Sequence, residues 1–331
     1  MRPAGRQGLA AAASVLTLVG LLAGCGSGDD GGDDSATRPA PAASEFPAAG
    51  GQSLEQVLSA ASSEGPVVSP AARVVRQGDD RFPFGVFTAD KKPITDAQVA
   101  IYAAPGKDLS GPAIGPFPAR IEDLSTESAF RAQSTADDPD AAPVVYVSEL
   151  RLDKPGPWAF GALIKEGDSY SASLLPTPSL VGEFNPPNVG DKAPSISTPT
   201  AADVADLSEI DTRVPPGTMH EVDFEDVLGR EPIVLLFATP ALCQSRICGP
   251  VVDVAEQVNR DYGDQVAFIH QEVYNDNEIQ KGTRPQLQAY DLPSEPWLFV
   301  IDANGIIRTA IEGAFSVDEL TAAVEQVGGK A

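Results

Sequence analysis

Residues 233–250 read IVLLFATPALCQSRICGP, an apolar run followed by a loop that carries two cysteines. The run 233–238 is apolar throughout, which is typical of a strand covered on both faces. Behind the loop, apolar residues recur at spacings of three and four, namely Val251, Val254, Ala255, Val258 and Tyr262. That spacing predicts an amphipathic helix. A second apolar run at 266–273 predicts another buried strand, so we expect a β-α-β unit with a right-handed crossover.

The C-terminal end of the chain predicts two more strands and a helix. Apolar runs at 297–301 and 306–311 flank Asn304 and Gly305, a pair that supplies the positive φ of a hairpin turn. Ser316 stands three residues before Glu319, the spacing of a capping box at a helix start. We expect this helix to end at Gly328, because glycine commonly terminates helices.

The order β-α-β followed by β-β-α, with a cysteine pair between the first strand and the first helix, resembles the thioredoxin fold. The residues that carry the resemblance are the first cysteine, a proline and an acid of the first helix, and a proline loop: Cys243, Pro250, Asp253, Glu295, Pro296 and Trp297. The resemblance covers about residues 214–328. It implies an α/β thioredoxin-like domain over 213–331, in which a cis Pro296 packs against the cysteine loop.

The spacing of the cysteines departs from the thioredoxin pattern. Thioredoxins separate their two cysteines by two residues, whereas four residues separate Cys243 from Cys248. In a regular helix, residues five apart have Cα atoms about 8.6 Å apart, and a disulfide needs less than about 7 Å. A disulfide between Cys243 and Cys248 is therefore expected only if the helix begins at or beyond Arg246, or if its first turn unwinds.

The same spacing resembles that of the Q-type peroxiredoxins, which share the thioredoxin fold and unwind the start of the helix to form an intramolecular disulfide. Two features differ from that family. There is one extra residue between Pro240 and Cys243, and Pro296 stands where a peroxiredoxin brings an activating arginine. Peroxidase chemistry is thus an alternative to the thioredoxin-type reaction.

The thioredoxin resemblance implies thiol–disulfide exchange with protein dithiols or disulfides. Cys243 would be the attacking thiolate, with a pKa lowered by the helix dipole and by Arg246. Cys248 would resolve the mixed disulfide, and Pro296 would border the groove for the partner. Two alternatives stay open: a non-catalytic binding module with a structural Cys243–Cys248 disulfide, and a peroxiredoxin-like peroxidase.

The chain has two histidines, and neither predicts a metal site. A site made of His270 and the two cysteines would resemble that of the Sco-type copper chaperones. Those proteins, however, separate their cysteines by three residues and bring their histidine from a late loop. His270 lies within an apolar strand and is interpreted as a buried strand residue. His220 stands beside Glu221 and Asp223 and is interpreted as solvated, so no metal and no cofactor is expected.

Residues 65–184 consist of short apolar runs separated by turn residues. The candidate strands are 72–77, 82–88, 97–103, 144–152, 158–164 and 170–175. Short strands without a helix of 3.6 period predict an antiparallel β-sandwich, which resembles immunoglobulin-like bacterial surface modules. Residues 185–212 are rich in Pro, Ser, Thr and Asn and predict a linker. The expected fold class is therefore multidomain, an immunoglobulin-like β-sandwich followed by the α/β thioredoxin-like domain.

The N-terminus resembles that of a bacterial lipoprotein precursor. Arg2 and Arg6 precede an apolar run at 9–22 that is too short for a transmembrane helix, and the residues that resemble a lipobox are Leu22, Ala23, Gly24 and Cys25. The resemblance implies a signal peptide over 1–24 and a lipid anchor on Cys25, of diacylglycerol with palmitate-type acyl chains, at the extracytoplasmic face of the cell membrane. Residues 25–64 predict a disordered tether, because residues 26–53 are rich in Gly, Ser, Asp, Ala and Pro, and one short helix is expected at 54–62, where Leu54, Val57, Leu58 and Ala61 share a side.

The charge of the chain excludes one class of partner. Its 331 residues include 23 Lys and Arg against 47 Asp and Glu, a formal net charge of -24. Loss of Arg2 and Arg6 with the signal peptide would leave a net charge of -26. A field of this sign repels phosphate, so no nucleic-acid partner is expected.

Overall fold

The computed structural model describes residues 37–176, 179–243 and 245–328. The predicted signal peptide over 1–24 and the predicted lipidation site Cys25 lie outside the described residues. Within the described ranges, no helix is long and apolar enough to cross a membrane. The described residues all belong to one compact unit.

In the first half of the chain, the described residues form nine strands and two short α-helices. The strands are β1 (Val67–Pro70), β2 (Val75–Arg76), β3 (Gly78–Phe87), β4 (Val99–Pro105), β5 (Ile114–Asp123), β6 (Val144–Leu152), β7 (Gly156–Glu166), β8 (Ser169–Leu174) and β9 (Ser179–Gly182). The helices are α1 (Leu54–Ser59) and α2 (Gln133–Ala136). Hydrogen bonds link eight strands in the order β1-β3-β6-β5-β4-β7-β9-β2, and β8 pairs with β7.

Strand β5 joins the two halves of this first sheet. Its residues 114–118 pair with β4, and its residues 119–123 pair with β6. The structure therefore differs from the predicted immunoglobulin-like sandwich, because the strands form one continuous hydrogen-bonded path rather than two separate sheets. The sequence pattern conceals β5, since Pro116 and Pro118 lack the N–H group that a central strand donates.

Strand β4 is buried on both of its faces. Val99, Ile101 and Ala103 belong to a core lined by the aromatic residues of β3, β6 and β7. Tyr102 and its neighbours on the opposite face belong to a second core, which includes Leu54 of α1. This second apolar face needs a cover, and the chain before β1 provides it.

Residues 37–64, predicted as part of a disordered tether, pack against the first sheet instead, and the short helix predicted at 54–62 is present as α1. The side-chain oxygen of Ser53 accepts a hydrogen bond from the backbone N–H of Gln56 at 3.2 Å and caps α1. Leu54 is fully buried, and the hydroxyl of Tyr102 donates to the carbonyl of Pro47 at 2.6 Å. Composition alone misleads here because a few large apolar side chains are enough to cover β4.

Residues 185–212, predicted as a linker, run along the second sheet. The backbone N–H of Gly190 donates to the carbonyl of Ile307 at 2.9 Å, and the N–H of Ile307 donates to the carbonyl of Asp191 at 2.9 Å. Ala193 and Ile196 are buried in the core on one face of that sheet. These contacts stabilise a segment whose Pro, Ser and Thr content is typical of a linker.

The second half of the chain contains a four-stranded sheet and four α-helices among its described residues. The strands are β10 (Ile233–Phe237), β11 (Ala267–Gln271), β12 (Trp297–Ile301) and β13 (Ile307–Glu312). The helices are α3 (Phe224–Val227), α4 (Cys248–Tyr262), α5 (Pro285–Ala289) and α6 (Val317–Gly328). Short 3₁₀ turns lie at Leu207–Glu209, Asn275–Asn277 and Ile279–Lys281, and the first half of the chain has one at Ala43–Glu45.

The second sheet has the thioredoxin-like arrangement that the sequence predicts. Its order is β11-β10-β12-β13, with β10 parallel to β11 and antiparallel to β12, and with β13 antiparallel to β12. Helix α4 connects the two parallel strands, and α6 follows β13. The predicted helix start is present, since the backbone N–H of Glu319 donates to the Ser316 hydroxyl at 3.1 Å.

The two sheets share a core instead of forming separately packed domains. Leu124 and the β6 residues Val145 and Val147 pack in the same cluster as α4 and α6. Across the same junction, Arg81 of β3 donates from Nε to the Glu319 carboxylate at 2.7 Å. The predicted multidomain division is therefore not supported within the described residues.

Candidate dithiol site

The cysteine loop lies between the end of β10 and the start of α4. The backbone N–H groups of Leu242 and Cys243 both donate to the carbonyl of Thr239, at 3.2 and 3.1 Å. Arg246 has a φ of 60°, in the left-handed region, and the chain then enters α4 at Cys248. Because the helix begins beyond Arg246, the two cysteines are not five apart on a regular helix. The geometric condition for their contact is met.

The two sulfur atoms are hydrogen-bonded to each other and differ in acidity. A hydrogen bond from the Cys248 thiol is the largest cause of the lowered pKa of Cys243. Hydrogen bonds from Ser245 and from the backbone N–H groups of Ile247 and Cys248 add to it. Together they lower this pKa to about 6 against the effect of burial. The Ser245 hydroxyl lies 3.2 Å from the Cys243 sulfur. Burial raises the pKa of Cys248 well above its ordinary value. At neutral pH the pair is thus a thiolate next to a thiol.

Both cysteines are free thiols in the structure, and their predicted disulfide stays a prediction. Cys248 is fully buried, and Cys243 is 6% exposed. Cys243 lines a narrow pocket of about 10 Å³ together with Thr135, Pro240 and Pro250. That volume holds about one water molecule. The sulfur of Cys243 is therefore covered by α2 and its own loop.

Arg246, predicted to stabilise the thiolate, takes part in that cover. Its Nη1 lies 3.2 Å from the carboxylate of Asp138, which follows α2. Its carbonyl accepts a hydrogen bond from the N–H of Ala142 at 3.1 Å. The hydrogen bonds that stabilise the Cys243 thiolate come from Cys248, Ser245 and the backbone instead.

The peptide bond between Glu295 and Pro296 is cis and immediately precedes β12. Burial and, to a smaller extent, the charge of Cys243 together raise the pKa of Glu295 to about 7. The Glu295 charge in turn contributes to the raised pKa of Cys248. The proline loop thus brings the Glu295 carboxylate close enough to affect both cysteines. This effect of Glu295 is not predicted from the Glu-Pro-Trp motif.

A cleft of about 390 Å³ opens beside the cysteine loop. The second half of the chain contributes Ser245, Tyr274 and Glu295, and residues 70–73 of the first half form the opposite wall. The backbone N–H groups of Arg73 and Val74 donate to the carboxylate of Glu312 on β13, at 2.8 and 2.9 Å. Both sheets therefore line this cleft.

The two histidines occupy a buried position of their own. His220 was expected to be solvated, and this prediction is wrong, because the residue is 3% exposed and its Nε2 lies 3.1 Å from Oδ2 of Asp211. His270 is buried in β11, as predicted, and its Nε2 donates to the carbonyl of Ala238 at 3.1 Å. Burial opposes the charged forms, but attraction to Asp211 exceeds it and raises the pKa of His270 to about 9. The same attraction lowers the pKa of Asp211 well below its ordinary value.

No protein-family model and no curated protein matches this chain. Among solved structures, one similar chain is a candidate thiol:disulfide interchange protein DsbE from Chlorobium tepidum, with 18% identity over 41% of this chain and 98% of that chain, and a TM-score of 0.30. Another is a thiol:disulfide interchange protein of the thioredoxin family from Chlorobium tepidum TLS, with 16% identity over 43% and 98% and a TM-score of 0.29. The thioredoxin-like arrangement of the second sheet rests on its own strand order and connections.

Proposed function

We propose that the protein exchanges electrons with protein dithiols or disulfides through Cys243 and Cys248. The observation that carries this proposal is the asymmetry of the pair, in which a thiolate with a pKa of about 6 contacts a buried thiol. The thiolate is the nucleophile in thiol–disulfide exchange, and its fraction at neutral pH limits the rate. A purely structural disulfide has no need of such an asymmetry.

The first step forms a mixed disulfide. The Cys243 thiolate attacks one sulfur of a partner disulfide, the partner S–S bond breaks, and its second sulfur leaves as a thiolate. Hydrogen bonds from Ser245 and from the backbone at the start of α4 hold the attacking sulfur in place. One new S–S bond replaces another, so no external oxidant is needed.

The second step releases the partner. Cys248 gives up its proton to the departing partner thiolate and attacks the Cys243 sulfur, which breaks the mixed disulfide. The products are a Cys243–Cys248 disulfide and a partner dithiol, so two electrons pass from this protein to the partner. The reverse sequence oxidises a partner dithiol.

The cleft beside the loop is the proposed docking groove. Glu295, in the loop before β12, lines it next to the cis Pro296, and the wall at residues 70–73 comes from the end of β1 and the residues after it. We infer that the first sheet takes part in partner recognition. Cys243 is 6% exposed, so we expect its loop to move, with opening of the contact between Arg246 and Asp138, before a partner sulfur reaches it.

A peroxidase is the second candidate, favoured by a low-pKa Cys243 with a second thiol beside it that could resolve a sulfenic acid. The thiolate would attack one peroxide oxygen and break the O–O bond, giving a sulfenic acid and hydroxide. Cys248 would then condense with the sulfenic acid and release water.

We further propose that the protein acts at the extracytoplasmic membrane surface, anchored by a lipid on Cys25. The support is the order of basic residues, apolar run and lipobox in the sequence. Growth with labelled palmitate should give a labelled membrane protein, and Cys25→Ala should abolish the label. Labelling that survives Cys25→Ala would contradict the anchor.

Trapping tests the exchange reaction directly. Cys248→Ser removes the resolving thiol, so Cys243 should accumulate as mixed disulfides with partner proteins. The matched variant Cys243→Ser should trap nothing through position 248, because that side chain is fully buried. If Cys248→Ser traps no partner and peroxide rapidly oxidises the wild-type pair, the peroxidase hypothesis would replace the exchange hypothesis. If Cys248→Ser traps no partner and the wild-type pair does not react with peroxide, the pair would be assigned to a structural disulfide.

A further inference from the structure

The two histidines of the chain converge on one carboxylate. His220 Nε2 lies 3.1 Å from Oδ2 of Asp211, and His270 Nδ1 lies 3.7 Å from its Oδ1. One ligand atom from each of these three residues lies within 4.8 Å of the others. All three side chains are at least 97% buried. None of the ligand atoms of this cluster belongs to a cysteine.

These separations suit a common metal ion. In a tetrahedral site with bonds of about 2.0–2.2 Å, neighbouring ligand atoms lie about 3.3–3.6 Å apart. The two measured separations, 3.1 and 3.7 Å, bracket that range. Because each histidine faces an oxygen of Asp211, the carboxylate and the two imidazoles supply three protein ligands to one ion.

The surroundings orient the donors in the way that metal ligands require. A carbonyl oxygen only accepts, so His270 Nε2 must carry the proton in its bond to Ala238, and Nδ1 faces Oδ1 of Asp211 at 3.7 Å. The backbone N–H of Arg213 donates to Oδ1 of Asp211 at 2.8 Å, and that of Gly217 donates to Oδ2 at 2.7 Å. Such secondary contacts fix ligand orientation in metal sites.

The local charge also favours a cation. Asp253, Glu256 and Glu272 are buried around the same segment. Within the described part of the chain, Arg213 is the only buried Lys or Arg, and it is paired with Asp253 at 2.9 Å. A divalent ion would offset carboxylates that otherwise share one guanidinium and the histidines.

We propose that Asp211, His220 and His270 bind one divalent transition-metal ion, best matched by Zn²⁺. Mixed imidazole and carboxylate donors in a closed site suit this ion. Its position links the segment 211–220 to β11. That segment also supports the cysteine loop, because the N–H of Ala241 donates to the Thr212 hydroxyl at 3.1 Å. The metal would thus hold the base of the dithiol site without touching a sulfur.

The test uses Zn²⁺ alone as the probe, with the cysteines removed as competing ligands. The untagged chain carrying Cys25→Ser, Cys243→Ser and Cys248→Ser is stripped with a chelator and titrated by calorimetry and by metal analysis. We expect one Zn²⁺ per chain and a higher Tm on binding. Adding His220→Gln or His270→Gln should weaken binding about 100-fold or more, because each removes a ligand. Glu221→Gln, an exposed carboxylate beside His220, should leave the affinity unchanged.

Two results would overturn the proposal. One is the absence of stoichiometric binding by the cysteine-free chain, a measurement that does not depend on the folding of any ligand variant. The other is binding that survives both histidine substitutions. Neither result bears on thiol–disulfide exchange, which is measured in a chain that keeps its cysteines.

Discussion

The fully buried Cys248 thiol interacts with the sulfur of Cys243 across the loop that precedes α4, and this interaction is the largest cause of the lowered pKa of Cys243. The contact exists because the helix begins at Cys248, so the first cysteine stays in the loop and folds back toward the helix end. One residue is thereby held as a thiolate and the other as a thiol. This difference decides which sulfur attacks and which resolves.

The thiolate predicts a pH dependence for alkylation. The rate of iodoacetamide addition to Cys243, followed by mass spectrometry of its peptide, should rise with pH, pass its half-maximum near pH 6 and level off above about pH 8. The rise is expected at this pH because only the thiolate reacts. A half-maximum near 8.5, the ordinary value for cysteine, would contradict the assigned hydrogen bonds.

Replacement of the donor should shift that profile. In Cys248→Ala, the half-maximum should move upward by about one to two pH units, since a hydrogen bond to a charged group contributes about 1.5–3 kcal/mol and one pKa unit corresponds to about 1.4 kcal/mol. The control is Ser294→Ala, which lines the cleft but does not contact Cys243 through any of the stabilising bonds. An unshifted Cys248→Ala profile would assign the low pKa to another cause.

Glu295 should report the charge of the cysteine pair. Its pKa is raised to about 7 by burial and then by the Cys243 thiolate. Cys243→Ser removes the thiolate but not the burial, so the pKa of Glu295 should fall and still exceed its ordinary value. Carbon NMR of labelled glutamate carboxyls measures this, and Glu295→Gln identifies the resonance by its loss. An identical titration in the Cys243→Ser chain would show that the two groups do not interact.

The cover over Cys243 predicts an effect of Asp138. Asp138→Ala removes the partner of Arg246, so alkylation of Cys243 at pH 8 should accelerate about twofold, in keeping with the small energy of a partly exposed ion pair. Asp137→Ala, an exposed neighbour, should not change the rate. A rate in Asp138→Ala equal to that of the wild-type protein would show that access does not pass through this contact.

The packed N-terminal segment predicts a stability effect far from the cysteines. Leu54→Ala should lower the free energy of unfolding by about 3 kcal/mol, because the side chain is fully buried and its loss leaves a cavity. The exposed neighbour Glu55→Ala should change it by less than about 0.5 kcal/mol. Urea unfolding measures both. Equal, small effects would restore the disordered tether that composition predicts.

Strands buried on both faces could be predicted from the sequence alone. The apolar runs at 233–238 and 297–301 coincide with β10 and β12, because a continuous apolar run of this length has few other stable environments. Strand β5 could not be predicted, since its two prolines argue against a central strand. Segments 37–64 and 185–212 are ordered because they cover apolar surfaces of the two sheets. Those surfaces cannot be inferred from the composition of the segments.

Some residues of the site could likewise be predicted from the sequence, and others could not. Cys243, Cys248 and Pro296 lie in motifs that can be recognised locally. The cluster of Asp211, His220 and His270 could not be predicted, because its members are far apart in sequence and meet only through the packing of segment 211–220 on β11. Glu295 acts on the cysteines for a similar reason, through the approach of the proline loop to the end of β10.

The reduction potential of the Cys243–Cys248 pair tests the central claim most directly. It is measured by equilibrating the protein in glutathione or dithiothreitol buffers and counting free thiols by mass spectrometry. An exchanger should have a potential between about −270 and −120 mV, the range of thiol–disulfide oxidoreductases. A potential below about −300 mV, with no exchange with protein dithiols, would contradict the account and identify a structural disulfide.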